Sequence, residues 1–137
     1  MKKIALVEDD ADERLFIKRA IAQADQEVEV IDYVDGQEAL DSLLELKEKE
    51  EFPSLVIIDL KLPLLSGLEV LKHLRAALGD EPVPLVICSG SSAKTDVLAA
   101  WKEGCSGYLV KPSNPQDYRD LVQTLMNYWF SSHQRSL

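Results

Sequence analysis

Side chains that could do chemistry stand where short apolar segments of this chain end. Three carboxylates brought within a few ångströms repel one another and take up protons unless a cation lies among them. A hard divalent cation such as Mg²⁺ suits oxygen ligands of this kind, and a lysine nearby supplies a second positive charge. The residues at the segment ends are Glu8 and Asp9 after the first, Asp59 after the third, Ser89 after the fourth and Lys111 after the fifth.

Each of these residues also has a simpler explanation when it is taken alone. Asp59 could cap the turn that follows its segment, and Ser89 could cap the loop before the next helix. Lys111 could be a surface charge. The functional interpretation therefore depends on whether the elements of the fold bring the segment ends together.

Apolar segments and amphipathic segments alternate along the chain, and this alternation predicts a parallel sheet covered by helices on both faces. Ligands bind at the carboxyl ends of the strands in such sheets, so all of the residues above would face the same edge. The predicted strands are Lys3–Val7, Val28–Val34, Ser54–Ile58, Val83–Cys88 and Gly107–Val110. The predicted helices are 10–24, 37–49, 67–78 and 93–103, with Asp10 and Glu13 as a capping box and Ser66 as an N-cap. A last helix is predicted to follow Ser113 or Asn114 as its N-cap, with Pro115 near its first turn, and to run to about Phe130.

Length, composition and charge exclude several classes of function. The 137 residues correspond to one domain. We predict a domain over residues 1–130 and a short tail over 131–137. A net charge of −9 has the wrong sign for direct nucleic-acid binding. No apolar run reaches the length of a membrane span, so we expect no membrane contact and a cytoplasmic location. Cys88 and Cys105 show no metal-ligand spacing, which favours two reduced thiols.

The chemistry-bearing residues, taken with their order and spacing, resemble the receiver domain of bacterial two-component response regulators. Ser89 follows Asp59 by 30 residues, Lys111 follows Ser89 by 22, and Pro112 comes next. The resemblance extends to about Phe130. It implies a flavodoxin-like, doubly wound α/β fold with a five-stranded parallel sheet in the order 2-1-3-4-5 and five helices.

The resemblance also implies a metal site. Asp9 and Asp59 would bind Mg²⁺ directly, Glu8 would act largely through water, and the backbone carbonyl of Lys61 would complete the site. Asp59 would then be the phosphoacceptor. Its carboxylate would attack the phosphorus of a phosphohistidine and form a 4-aspartylphosphate, so the chain would be a phosphoacceptor that assists its own phosphorylation and dephosphorylation, and no conventional enzyme.

Four further residues would handle the phosphoryl group by the same resemblance. Lys111 would neutralise one of its oxygens, and Ser89 would donate a hydroxyl to another. The movement of Ser89 would vacate space into which Tyr108 can turn, although Tyr108 alone could be a half-buried strand aromatic. Gly90 would leave room for the phosphate because it has no side chain.

The expected partners follow from the same family. The phosphoryl donor would be a sensor histidine kinase, with the phytochrome-associated kinases as one possibility, or a histidine phosphotransfer protein. Because the chain ends after the last helix, we expect the output to pass to another protein. Tyr128, Phe130 and Met126 are apolar residues beyond the face that the sheet can bury, and a homodimer through helix four, strand five and helix five is a hypothesis.

Three other functions compete with this one. Phosphatases that use a strand-end Asp nucleophile need a second acid two residues later, where this chain has Lys61. A flavodoxin needs a phosphate-binding loop after strand one, where this chain has three acids. A receiver-like scaffold that acts without phosphorylation stays as the main alternative.

Overall fold

The computed structural model describes residues 2–131. Five strands and five helices alternate, and a short π-helical segment, Asn127–Ser131, follows the last helix. The strands are β1 (Lys3–Val7), β2 (Glu29–Tyr33), β3 (Leu55–Ile58), β4 (Leu85–Ser89) and β5 (Gly107–Val110). The helices are α1 (Ala11–Ala24), α2 (Gly36–Glu48), α3 (Gly67–Leu78), α4 (Lys94–Lys102) and α5 (Asp117–Met126).

The five strands form one sheet in the order β2-β1-β3-β4-β5, and every neighbouring pair is parallel. This confirms the predicted doubly wound α/β fold. Val7 pairs with Ile58, which places the next residues of β1 and β3 side by side. Ser89 pairs with Val110 in the same way at the far side of the sheet.

Each face of the sheet has its own hydrophobic core. On one face α2, α3 and α4 contribute Leu43, Leu74 and Ala100, all fully buried. On the other face α1 and α5 contribute Ile17, Ile21 and Val122. The strands are apolar on both sides because they are covered on both sides, which explains the unbroken run from Leu55 to Ile58.

Two helix starts agree with the capping signals in the sequence, whereas α5 begins at Asp117, after the predicted N-cap at Ser113 or Asn114. Asp10 accepts a hydrogen bond from the Glu13 amide at 3.0 Å, and Ser66 accepts one from the Glu69 amide at 3.2 Å. Several boundaries differ from the prediction by one or two residues. Strand β4 begins at Leu85 instead of Val83, because a proline precedes it at position 84 and has no amide hydrogen to donate.

The end of the chain also differs from the prediction of a single helix to residue 130. Helix α5 ends at Met126, and the chain continues as the π-helical segment. Lys2 lies over the ring of Phe130, 4.8 Å from its centroid, and this cation–π contact joins the segment to the start of β1. Apart from Ser131, the predicted tail 131–137 lies outside the described residues. Among residues 2–131 no helix is long and apolar enough to cross a membrane.

Candidate functional site

The sheet brings the chemistry-bearing residues to one edge by backbone hydrogen bonds. The Asp59 amide donates to the Val7 carbonyl at 3.0 Å, and the Lys111 amide donates to the Ser89 carbonyl at 2.8 Å. These bonds continue the strand ladders one residue past each strand. Asp59 and Lys111 therefore leave the same end of the sheet with β4 between them, and the long lysine side chain reaches the Asp59 carboxylate.

The Lys111 ammonium lies at the centre of the site. Its Nζ atom is 2.7 Å from Glu8 Oε1, 2.9 Å from Glu13 Oε2 and 2.9 Å from Asp59 Oδ2. The lysine side chain is only 9% exposed, and Glu8 and Asp59 are 2% and 8% exposed. Four charged groups therefore meet in a largely dry place, where each ion-pair contact is stronger than in water.

The positive charge of one ammonium does not balance the negative charges of three carboxylates. This imbalance affects the pKa values of Glu8 and Lys111. Burial raises the pKa of Glu8 to about 7. The hydrogen bond from Lys111 lowers this pKa, and the negative charge of Asp59 raises it. Burial alone lowers the pKa of Lys111, but its hydrogen bonds to Glu8, Asp59 and Glu13 outweigh burial and raise it. The lysine therefore stays charged, and the carboxylate cluster around it favours an additional cation.

Glu13 is a member of the site that the sequence did not reveal. The prediction treated it as the second residue of a capping box, whose carboxylate would return to the Asp10 amide. Instead, Glu8 Oε2 accepts the Asp10 amide hydrogen at 3.1 Å. The Glu13 carboxylate is left free to reach Lys111, and its other oxygen accepts a hydrogen bond from the Tyr118 hydroxyl at 3.4 Å. Neither contact leaves a local signal, because the partners are 98 and 105 residues away.

Glu8, Glu13 and Asp59 fit a divalent cation by their chemistry. Each offers one carboxylate oxygen, and these atoms lie within 4.8 Å of one another. Oxygen ligands of this charge and spacing suit Mg²⁺ or Mn²⁺. Asp9 is exposed and lies outside this cluster. Lys61 contacts the site through its amide, which donates to Asp59 Oδ1 at 3.4 Å. Metal binding by Asp9 and by the Lys61 carbonyl stays a prediction.

Ser89 and Tyr108 are linked through a third residue, Ser91. The Ser91 amide donates to Ser89 Oγ at 3.2 Å, and the Ser91 carbonyl accepts from the Tyr108 hydroxyl at 2.8 Å. The Ser91 hydroxyl donates to Asp96 in the first turn of α4. The backbone of a single residue, Ser91, therefore connects the Ser89 hydroxyl with the Tyr108 hydroxyl.

Two glycines at this edge have different reasons to be there. A Cβ atom on Gly67 would lie 1.9 Å from the Asp59 carbonyl oxygen, so only glycine allows the start of α3 to approach the backbone of the acidic residue. A Cβ atom on Gly90 would meet nothing within 4 Å. No packing contact requires a glycine at position 90, and its role in phosphate access stays a prediction.

Comparison with known proteins identifies the family. The family model for the response regulator receiver domain matches residues 4–123. The chain therefore belongs to the receiver domains of two-component response regulators. A chemotaxis protein CheY homolog from Campylobacter jejuni is 29% identical over 124 residues, which is 90% of this chain and 92% of that protein.

Two solved structures of response regulators have the same fold. The phosphorylated cyanobacterial phytochrome response regulator RcpA has a TM-score of 0.86 and 28% identity over 96% of this chain and 95% of its own. The Mn²⁺-bound form of the response regulator Rcp1 has a TM-score of 0.84 and 27% identity, with 96% of each chain covered. These similarities confirm the receiver-domain assignment.

Proposed function

We propose that this chain is a phosphoacceptor of a two-component phosphorelay, which takes a phosphoryl group on Asp59 in a Mg²⁺-dependent reaction. One observation carries the proposal. The only ammonium that contacts the Asp59 carboxylate in the described part of the chain belongs to Lys111, and that carboxylate is buried at the open edge of the sheet. The Asp59 carboxylate is therefore positioned to attack phosphorus, and the ammonium beside it can neutralise the negative charge of the phosphoryl oxygens.

The reaction follows from the positions of these groups. A carboxylate oxygen of Asp59 attacks the phosphorus of a phosphohistidine, a new O–P bond forms, the N–P bond breaks, and the imidazole leaves with the electron pair and takes a proton. The Lys111 ammonium donates a hydrogen bond to one phosphoryl oxygen. The Ser89 hydroxyl donates to another, and Tyr108 follows through Ser91. Hydrolysis of the acyl phosphate, with water as the nucleophile, returns Asp59 to its carboxylate form.

Glu8, Asp9 and Asp59 would hold the metal ion, with the Lys61 carbonyl. When bound, a divalent cation supplies the positive charge that balances the phosphoryl oxygens in the transition state. Support for Glu8 and Asp59 comes from the carboxylate cluster around Lys111, and support for a divalent cation comes from the Mn²⁺-bound form of Rcp1. A cytoplasmic location is part of the proposal, because the ATP that charges a sensor histidine kinase is found there.

The likeness to RcpA and Rcp1 supports a kinase of the phytochrome-associated class as the donor, or a histidine phosphotransfer protein. The signal would leave through a partner protein.

A homodimer through α4, β5 and α5 is part of the proposal, because exposed apolar side chains lie on or beside each element: Leu98, Trp101, Val110 and Tyr128. Met126, predicted to be exposed, is buried at 5% and does not contribute. A mass by light scattering that stays monomeric with a phosphoryl mimic would exclude the dimer.

Phosphoryl incorporation from acetyl phosphate tests the central proposal. The native chain should be labelled in Mg²⁺ and not in EDTA, and Asp59→Asn should take up nothing. Asp12→Asn removes the same charge from an exposed position near the site and should label normally. Labelling of Asp59→Asn at the native level would exclude Asp59 as the acceptor. No labelling of the native chain would favour the phosphorylation-independent scaffold.

A further inference from the structure

We propose that Glu13 is a positioning residue, which holds the Lys111 ammonium in the resting protein and releases it when a phosphoryl group reaches Asp59. The inference rests on the proposed function and adds a regulatory step to it. Glu13 would therefore oppose phosphorylation. The movement of Glu13 away from Lys111 would also change α5, because Tyr118 of that helix donates a hydrogen bond to Glu13.

The first step of the argument is a count of hydrogen-bond donors. A lysine ammonium has three N–H donors and no acceptor. In this structure Lys111 has three carboxylate partners, all within 2.9 Å: Glu8, Glu13 and Asp59. No donor is left for a phosphoryl oxygen. One carboxylate must give up its hydrogen bond before Lys111 can stabilise the incoming group.

The second step identifies the carboxylate that gives way. Glu8 is 2% exposed and also accepts the Asp10 amide, so its carboxylate is held on two sides. Asp59 is the acceptor itself, and it can attack through Oδ1 while Oδ2 keeps its hydrogen bond from Lys111. Glu13 is 29% exposed and lies in the first turn of α1, where a change of rotamer brings its carboxylate into water. Turning a charged group into solvent costs far less than leaving it unpaired in a buried place.

The third step connects this movement with the opposite helix. Glu13 Oε1 accepts a hydrogen bond from the Tyr118 hydroxyl, and Tyr118 is 3% exposed in α5. The Tyr118 ring packs near Phe16 of α1, with 5.9 Å between the ring centroids. When Glu13 turns away, the hydroxyl loses this acceptor. The α1–α5 face therefore differs between the resting and the phosphorylated protein.

The test compares Glu13→Gln with Asp12→Asn, which removes an equal charge from an exposed position one residue away. The neutral amide introduced by Glu13→Gln competes less strongly for the ammonium, because it lacks the negative charge that attracts the ammonium in the native chain. We expect Glu13→Gln to be phosphorylated by acetyl phosphate about fivefold faster than the native chain. Asp12→Asn should stay within about twofold.

A second measurement reads the restraint itself, without phosphorylation. In Mg²⁺-free protein labelled with ¹⁵N-lysine, the signal of the Lys111 ammonium is identified by its loss in Lys111→Met. Its relaxation should show a less restrained group in Glu13→Gln than in the native chain or in Asp12→Asn. Tyrosine labelled with ¹³C should show a shifted Tyr118 ring signal in the same variant.

The outcomes separate this proposal from the proposed function. Faster labelling of Glu13→Gln with a looser ammonium supports the restraint. An equal or slower rate overturns it, and so does an equal acceleration in Asp12→Asn, which would indicate a general charge effect. If neither the native chain nor a variant is labelled, the proposed function fails. The NMR signal of the Lys111 ammonium then tests the restraint by itself. An unchanged Lys111 signal in Glu13→Gln would then overturn the restraint.

Discussion

Replacement of Lys111 by methionine tests how far the ammonium stabilises the folded chain. Methionine keeps most of the apolar stem and removes three short ion pairs from a side chain that is 9% exposed. Removing one partner of a buried ion pair costs about 3–5 kcal/mol. Two features reduce that cost here. Glu13 can turn into water, and the pKa of Glu8, already raised to about 7, lets this acid take up a proton.

We therefore expect Lys111→Met to lower the free energy of unfolding by about 2–3 kcal/mol at neutral pH without metal. Lys18→Met is the matched control, since Lys18 pairs with Asp32 at 3.3 Å but is 42% exposed. Its loss should stay below about 1 kcal/mol. Urea unfolding in EDTA, followed by tryptophan fluorescence, measures both values. A loss for Lys111→Met no larger than that for Lys18→Met would refute the account of the site as a dry charge cluster.

Metal addition gives the same variant a second prediction. In the native chain we expect the ammonium and a divalent cation to compete for Glu8 and Asp59. Without the ammonium, Mg²⁺ should bind more tightly and stabilise Lys111→Met more than the native chain, by the linkage between binding and folding. An equal Mg²⁺ effect on both proteins would show that the ion does not use the carboxylates that hold Lys111.

Other predictions concern the surroundings of the site. Gly67→Ala should cost about 2 kcal/mol or more in urea unfolding and should slow labelling of Asp59, because its Cβ would lie 1.9 Å from the Asp59 carbonyl oxygen; unchanged stability would contradict this. Leu64→Asn should stabilise the chain by about 0.5–1 kcal/mol, since Leu64 has a φ of 69° and is 82% exposed; a loss would contradict it. Burial raises the pKa of the Cys88 thiol to about 12 and raises that of Cys105, so both should resist alkylation in the native protein and react in urea; rapid native labelling would disprove this.

The residues at the strand ends were predictable because position within a parallel sheet is a local property. A buried strand is apolar on both faces, so its last apolar residue marks the edge at which the next side chain emerges. Glu8, Asp59 and Lys111 could be found in this way, and the structure places both carboxylates within 2.9 Å of the Lys111 ammonium. The N-caps at Asp10 and Ser66 were also local and were predicted correctly.

Glu13 and Tyr118 were not predictable, because their roles depend on how two helices pack. The spacing of Asp10 and Glu13 fits a capping box, and nothing local shows that Glu8 accepts the Asp10 amide instead. Tyr118 belongs to the apolar face of α5, where an aromatic residue is expected for packing alone. Its hydroxyl meets Glu13 only because α1 and α5 lie side by side on one face of the sheet.

The charge balance of the site explains why a stable arrangement can still respond to phosphorylation. Three carboxylates and one ammonium leave a net charge of −2 in a poorly solvated place. A divalent cation would neutralise this deficit, and a phosphoryl group would then add negative charge at Asp59. Each arrival therefore changes which acceptors Lys111 can satisfy. Because Glu13 is the partner with access to water, the redistribution is directed toward α1 and Tyr118 and away from the buried strands.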